Sequence, residues 1–146
     1  MAAFLYAQLE AREAIQEKRR RIWNRYREGL ADWAESNAVK LPVIPPECKH
    51  TYHMFYMLLP SVEHRESLIS DLKAQSILSV FHYTPLHLSE AGRKFAARPS
   101  DCPVTEAVSE RLLRLPFYND LTESEQDQVT AGVTNSRLIS LNRRAG

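Results

Sequence analysis

Glycine is scarce in this chain, four in 146 residues, and cysteine scarcer still, at two. So little glycine excludes a collagen-like chain. Hydrophobic residues at 44% and charged residues at 25% are near the averages of folded domains, which excludes a disordered one. Cys48 and Cys102 can pair once at most, so no disulfide scaffold is available. With no secretion signal at the Ala-rich start, they read as free thiols in a reducing cytoplasm. No run approaches the roughly 20 apolar residues of a membrane-spanning helix. The longest, Met54 to Leu59, has the length of a strand. Charge of one sign is also lacking: 19 Lys and Arg against 18 Asp and Glu leave a net +1. That is too little for the long-range field of a dedicated nucleic-acid or anionic-membrane binder, so neither nucleic acid nor membrane is expected as a partner. The length suits one domain, or a piece of a larger one.

What is present begins with a long amphipathic helix. Leu5, Leu9, Ile15, Ile22, Tyr26, Leu30 and Trp33 recur at mostly helical steps, predicting a helix to about Glu35. Its pattern starts at Met1 with no Ser, Thr, Asp or Asn cap, which suggests sequence upstream; the alternative is a first turn that frays in solvent. Successive prolines make residues 41–46 an extended connector. Tyr52 to Leu59, aromatic and apolar throughout and stopped by Pro60, predicts a strand buried on both faces. Ser61 caps a helix ending near Gln75, and Ile77 to Tyr83 predicts a second strand. From Leu86 to Cys102 the chain is loop-like, with a short helix possible over Glu90 to Ala97. Thr105 to Leu113 reads as a helix and Leu115 to Asn119 as a short extended piece. Thr122-Glu123-Ser124-Glu125 has the form of a capping box, opening a helix through Val129, Val133 and Leu138. The order predicts a small sheet covered by helices, an α/β (α+β) domain.

Several clusters invite a chemical reading. Cys48, His50 and His53 lie close in sequence, but they lead into a strand and lack a second ligand pair at zinc spacing, so no metal site is expected. Nothing local marks either cysteine as activated; both read as buried or inert. Lys18 to Arg21, with Arg25 and Arg27, spread around a helix whose Glu13 and Glu17 can pair with them. The basic run therefore reads as a solvated face, with Trp23 and Tyr26 on or beside the apolar stripe. Val80 to His87 is the more pointed segment, because a strand ends there and delivers His82, Tyr83 and His87 into a proline-stiffened turn, where binding groups are commonly displayed. The competing reading makes His82 an interior histidine and Tyr83 core. No Gly-rich phosphate loop, Ser-His-Asp ordering or paired-carboxylate signature is present.

Four motifs carry a resemblance: residues 2–10 (AAFLYAQLE), 53–56 (HMFY), 80–87 (VFHYTPLH) and 109–116 (SERLLRLP). Together and in this order they resemble the C-terminal part of the DegT/DnrJ/EryC1/StrS sugar-nucleotide aminotransferases, and within them most closely the group making dTDP-4-amino-4,6-dideoxygalactose. The resemblance implies a small C-terminal domain of the aspartate-aminotransferase-like fold (fold type I) over residues 37–146, with residues 1–36 as an interdomain helix and the large cofactor-binding domain absent. It also implies pyridoxal phosphate as the cofactor of the full-length enzyme and a Schiff-base lysine outside this chain, so the chain alone should hold no cofactor and be inactive. Glutamate would be the amino donor and a dTDP-4-keto-6-deoxy sugar the acceptor, serving cell-surface polysaccharide synthesis. The partners implied are the large domain and a homodimeric copy. His82, Tyr83 and His87 are the implied substrate-facing residues, with His53 and Tyr56 behind them. The rival reading is a stand-alone, non-catalytic binding or interaction module derived from that domain.

Overall fold

A computed structural model describes residues 2–81, 83–95 and 101–136, excepting the side chains of residues 2–4. The long N-terminal helix is there as α1 (Ala2–Glu10) and α2 (Arg12–Ser36). Ala11 interrupts it at ψ 2°, although main-chain bonds bridge the break from Ala11 to Ala7 and from Ile15 to Ala11. Next come β1 (Tyr56–Leu58), α3 (Val62–Ala74), β2 (Val80–Phe81), a 3-10 turn (Leu86–Leu88), α4 (Glu90–Phe95), α5 (Pro103–Ser109), β3 (Leu112–Arg114) and α6 (Glu123–Thr134). The three strands form one antiparallel sheet in the order β1-β3-β2, with Met57 opposite Leu113 and Phe81 opposite Leu113 on the other side. Among the described residues no helix is long and apolar enough to cross a membrane.

The core lies between α2 and the sheet. Ile22, Trp23, Tyr26, Leu30 and Ala34 of α2 are buried against Phe55, Met57, Leu59 and Leu113, with Leu68 and Leu72 of α3 and Val129 and Val133 of α6 closing it. Gly132 is what lets α6 approach α3 so closely: a Cβ there would stand 2.8 Å from the Ile77 side chain. The α6 capping box is formed, with Thr122 Oγ1 accepting from the Glu125 N–H and the Glu125 carboxylate accepting from the Thr122 N–H. Ser61 caps α3 as expected.

Five expectations change. The stripe fails at its start, because Leu5 and Leu9 are each 60% exposed while Trp23, beside the stripe, is buried. The strand expected over Tyr52 to Leu59 pairs only over Tyr56–Leu58, and its faces differ: Phe55, Met57 and Leu59 are buried while Met54, Tyr56 and Leu58 are half-buried. Likewise the Ile77 to Tyr83 strand contracts to Val80–Phe81. The helix expected over Thr105 to Leu113 stops at Ser109, and Leu112–Arg114 is instead the central strand; Leu115 to Asn119 then leaves the sheet. Helix α6 ends at Thr134, capped by Asn135, and Leu138 lies outside the described residues. A sheet of three short strands needs its middle strand paired on both edges, and that pairing overrides the helical spacing of Val108 and Leu112.

The scarcity of glycine leaves a mark at two helix ends. Beyond α2, Ala38 N–H bonds to Glu35 O at 3.3 Å and Val39 N–H to Ala34 O at 2.9 Å. Beyond α3, Ser76 N–H bonds to Lys73 O and Ile77 N–H to Leu72 O at 3.0 and 2.9 Å. Both are Schellman closures, whose left-handed position is usually glycine. Here it is Ala38 (φ 54°) and Ser76 (φ 61°), where a Cβ is strained. Ala38→Gly and Ser76→Gly should therefore each stabilise the fold by roughly 0.5–1 kcal/mol. Urea midpoints that fall in both variants would refute this account of the helix ends.

Candidate functional site

Strand β2 delivers the chain to Tyr83, Thr84 and Pro85 at an exposed end of the sheet. Tyr83 has φ 27°, a left-handed backbone that is uncommon for a bulky side chain and that collects at functional sites. Its ring is exposed. Two clefts adjoin this strap and share Tyr83, Thr84, Pro85 and Ser109 in their walls. One, of about 290 Å³, adds Arg65, Phe81 and Glu106. The other, of about 590 Å³, adds Leu86, Val104 and Val108 and is the more apolar.

After Pro85 the chain enters the 3-10 turn that carries His87. Ser89 Oγ donates to Leu86 O at 2.7 Å and accepts from the Gly92 N–H at 2.9 Å, tying the turn to the start of α4. Gly92 is obligatory there, since a Cβ would collide with the Leu86 carbonyl oxygen. His87 is mostly buried, and its Nε2 meets Glu106 Oε1 of α5 at 2.8 Å. The same oxygen accepts the Cys102 N–H at 3.3 Å. These two bonds, His87 first, hold the Glu106 carboxyl below its ordinary value of 4.5. Arg65 braces the cleft floor: its Nη1 donates to Ser109 O at 3.3 Å, and its guanidinium lies 5.8 Å from the centre of the Phe81 ring.

Of the expected site residues, Tyr83 lines both clefts, whereas His87 lines neither and reaches the site only through its contact with Glu106. His82 lies outside the described residues. His53 and Tyr56 line neither cleft. Tyr56 is half-buried in β1 opposite Arg114. His53 is exposed, with Nδ1 3.0 Å from Thr51 Oγ1. Its neighbour His50 packs 5.3 Å from the Trp23 ring and accepts the Tyr52 N–H on Nδ1, and burial, then His53, holds its imidazole below the ordinary value. Among the described residues no group of three or more His, Cys, Asp or Glu could hold a metal. Cys102 is half-buried, but Cys48 is exposed, so burial does not explain that thiol. The basic run reads as a paired surface: Arg20 bonds Glu17, and Arg25 bonds Asp127 across to α6.

Sequence reasoning missed Arg65 and Glu106. Arg65 sits among charged helix neighbours, and Glu106 lies 19 residues beyond His87, so no local spacing marked either. None of the five lysines, Lys18, Lys40, Lys49, Lys73 and Lys94, lines either cleft.

The sign of the Glu106 shift fixes a pH response. A depressed carboxyl contributes stability that is present above the ordinary value and lost as pH falls through the folded one. On acidification the Glu106 carboxyl carbon should therefore titrate in ¹³C NMR with a midpoint under 4.5, and His87→Ala should move that midpoint up. A midpoint unchanged by His87→Ala would mean that the 2.8 Å contact is not its cause.

Comparison with known proteins places this geometry. Residues 1–134 match the DegT/DnrJ/EryC1/StrS aminotransferase family. A dTDP-3-amino-3,4,6-trideoxy-alpha-D-glucose transaminase of Micromonospora megalomicea subsp. nigra is 27% identical over 90% of this chain and 35% of its own length. A DegT/DnrJ/EryC1/StrS aminotransferase structure from Brucella abortus superposes with a TM-score of 0.75 at 33% identity, covering 90% of this chain and 34% of that one. DesV of S. venezuelae, solved with a ketimine intermediate, gives 0.79 at 28% identity over 91% of this chain and 34% of that one. The helices and small antiparallel sheet are thus a fold these fold type I enzymes contain. This chain spans about a third of their length.

Proposed function

Because the chain belongs to the DegT/DnrJ/EryC1/StrS aminotransferase family, we propose that it acts as the small C-terminal domain of a cytoplasmic sugar-nucleotide transaminase. In this reading residues 1–36 are the interdomain helix, residues 37–146 the small domain, and a large domain supplies the cofactor site. The full enzyme is a homodimer that moves an amino group from glutamate to a dTDP-4-keto-6-deoxy sugar, giving dTDP-4-amino-4,6-dideoxygalactose for cell-surface polysaccharide. Pyridoxal phosphate, when bound to the large domain, supplies the electron sink for that transfer.

The observation that carries the proposal is the Tyr83-Thr84-Pro85 strap with His87 anchored beside it. A strained backbone and an exposed phenol at the rim of two adjoining clefts, with an imidazole held on the Glu106 carboxylate nearby, suit recognition of sugar hydroxyls rather than proton transfer at a reacting carbon. Tyr83 and His87, with His82 between β2 and the strap, face the sugar. His53 and Tyr56, which line neither cleft, act behind these residues at a distance from the sugar. The exposed Leu5, Tyr6 and Leu9 of α1 give the large domain an apolar surface to cover.

The test is complementation. The chain by itself should give no glutamate-dependent amination of a dTDP-4-keto-6-deoxy sugar, and a mixture with a separately produced large domain should give it. Running the 3-keto isomer in parallel decides the ring position, since the Micromonospora relative is named for a 3-amino product. Activity from the chain alone would refute the division of labour. An inactive mixture in which the folded chain still binds dTDP-glucose would favour the stand-alone binding module.

A further inference from the structure

We infer that His50 is an acid-sensitive latch on the turn that leads into β1: its neutral ring holds the strained Tyr52 backbone through Nδ1, and protonation of that nitrogen releases it. Tyr52 has φ 47°, a left-handed backbone that strains a bulky side chain, so the turn persists only where its surroundings hold it. The Tyr52 N–H donates to His50 Nδ1 at 3.1 Å, which ties the turn across two residues. The His50 ring meets the Tyr52 ring edge-on with centres 4.7 Å apart and lies 5.3 Å from the buried Trp23 ring. Three residues beyond Tyr52, Phe55 enters the aromatic core against Trp23. The latch therefore stands where the connector is handed over to the sheet.

The bond fixes the state of the ring. A nitrogen that accepts an N–H carries no proton, so the imidazole is neutral with its proton on Nε2. In the imidazolium both nitrogens donate, and Nδ1–H would face the Tyr52 N–H with no acceptor between them. The surroundings favour the neutral form. His50 is half-buried, and His53 of the same segment lies 6.5 Å away. On α2, the two carboxylates that share a cleft with His50, Glu13 and Glu17, are each paired with an arginine, Arg12 and Arg20. Lys49 lines that cleft too, and the Cys48 thiol and Tyr52 phenol complete its titratable groups. Arg27 lies 5.7 Å from the centre of the Trp23 ring. Burial, then His53, holds the His50 imidazole below its ordinary value of 6.5. A depressed base contributes stability that is present above the ordinary value and lost as pH falls through the folded one, so the latch opens on acidification.

Imidazole ¹⁵N NMR and hydrogen exchange of the Tyr52 amide, both on the chain as it stands, test the latch. At about pH 7.5, above the range of an ordinary imidazole, His50 should be the Nε2–H tautomer and the Tyr52 amide protected. As the ring titrates, with a midpoint below 6.5, the Tyr52 protection factor should fall about three- to tenfold, the loss expected for one hydrogen bond. The Ile77 amide, bonded to Leu72 O at 2.9 Å beyond α3, should keep its own protection. His50→Ala should lack the Tyr52 protection at every pH. His50→Asn, whose side-chain oxygen can accept from the backbone two residues on and does not titrate, should restore it and hold it through acidification. A neutral wild-type ring protonated at Nδ1 would overturn the inference, as would Tyr52 protection that outlasts the His50 titration. So would an acid loss that persists in His50→Asn, or a failure of that variant to restore the protection. A loss that disappears in His53→Ala while His50 still titrates would move the switch to His53. Where His50→Ala does not fold, the wild-type titration and His50→Asn decide.

Discussion

The stacking of three aromatic rings between α2 and β1 is the contact on which the rest of the molecule hangs. Trp23 and Tyr26 lie 5.7 and 5.3 Å from the Phe55 ring, and all three are buried. Removing each from water contributes roughly 2–3 kcal/mol, and the tilted and edge contacts add to that. The seam also carries polar ties that fix direction. The Tyr26 hydroxyl donates to Pro116 O at 3.0 Å, and Leu115 N–H donates to Phe55 O at 3.1 Å, so the chain leaving β3 is strapped to the residues that make the seam. Burial pushes the Tyr26 phenol well above its ordinary pKa, which keeps it a donor at any physiological pH. On the far side Gln126 of α6 donates to Ile22 O at 2.6 Å. One helix thereby sets the places of the sheet, of the segment after it and of the last described helix.

From that seam the site follows by a short chain of causes. β1 pairs with β3, and β3 pairs with β2, so fixing β1 fixes where β2 ends and where α5, which leads into β3, begins. The end of β2 is the start of the Tyr83 strap, and α5 carries Glu106. His87 and Glu106 meet because β2 lies just before one of them in the chain and β3 just after the other. Arg65 reinforces the arrangement from α3, touching Phe81 of β2 and the Ser109 carbonyl of α5 together. The planar guanidinium suits that double duty better than an ammonium would.

Local chemistry was legible in the sequence and paired chemistry was not. The Ser61 and Thr122 caps could be placed from a few residues because a cap is a contact within one helical turn. Tyr83 and His87 could be found because strand end, proline and imidazole follow one another. The four-residue spacing of Val108 and Leu112 predicts helix as far as Leu113, over the first two residues of β3. In the fold, Arg111 N–H bonds back to Val108 O at 3.1 Å, turning the chain out of α5, and Leu113 goes into the core between two partner strands. Strands of two or three residues owe their existence to neighbours far along the chain, so their lengths cannot be read locally. Glu106 escaped notice for the same reason, as its partner lies on another element.

The start of the chain shows the same logic from the opposite side. Residues 2–10 are mostly apolar and include no basic residue, a composition that suits a helix covered on more than one face. Yet Leu5, Tyr6 and Leu9 of α1 stand 60–64% exposed, and the core that α2 builds begins only at Ile22. The apolar stripe is therefore continuous in sequence while its burial is not. Two of these side chains, Leu5 and Leu9, share a helix face at four-residue spacing, so their exposed apolar surface is contiguous. The helix is thus two helices in burial as well as in geometry: beyond Ala11 it organises this fold, and before Ala11 its large apolar side chains stand exposed.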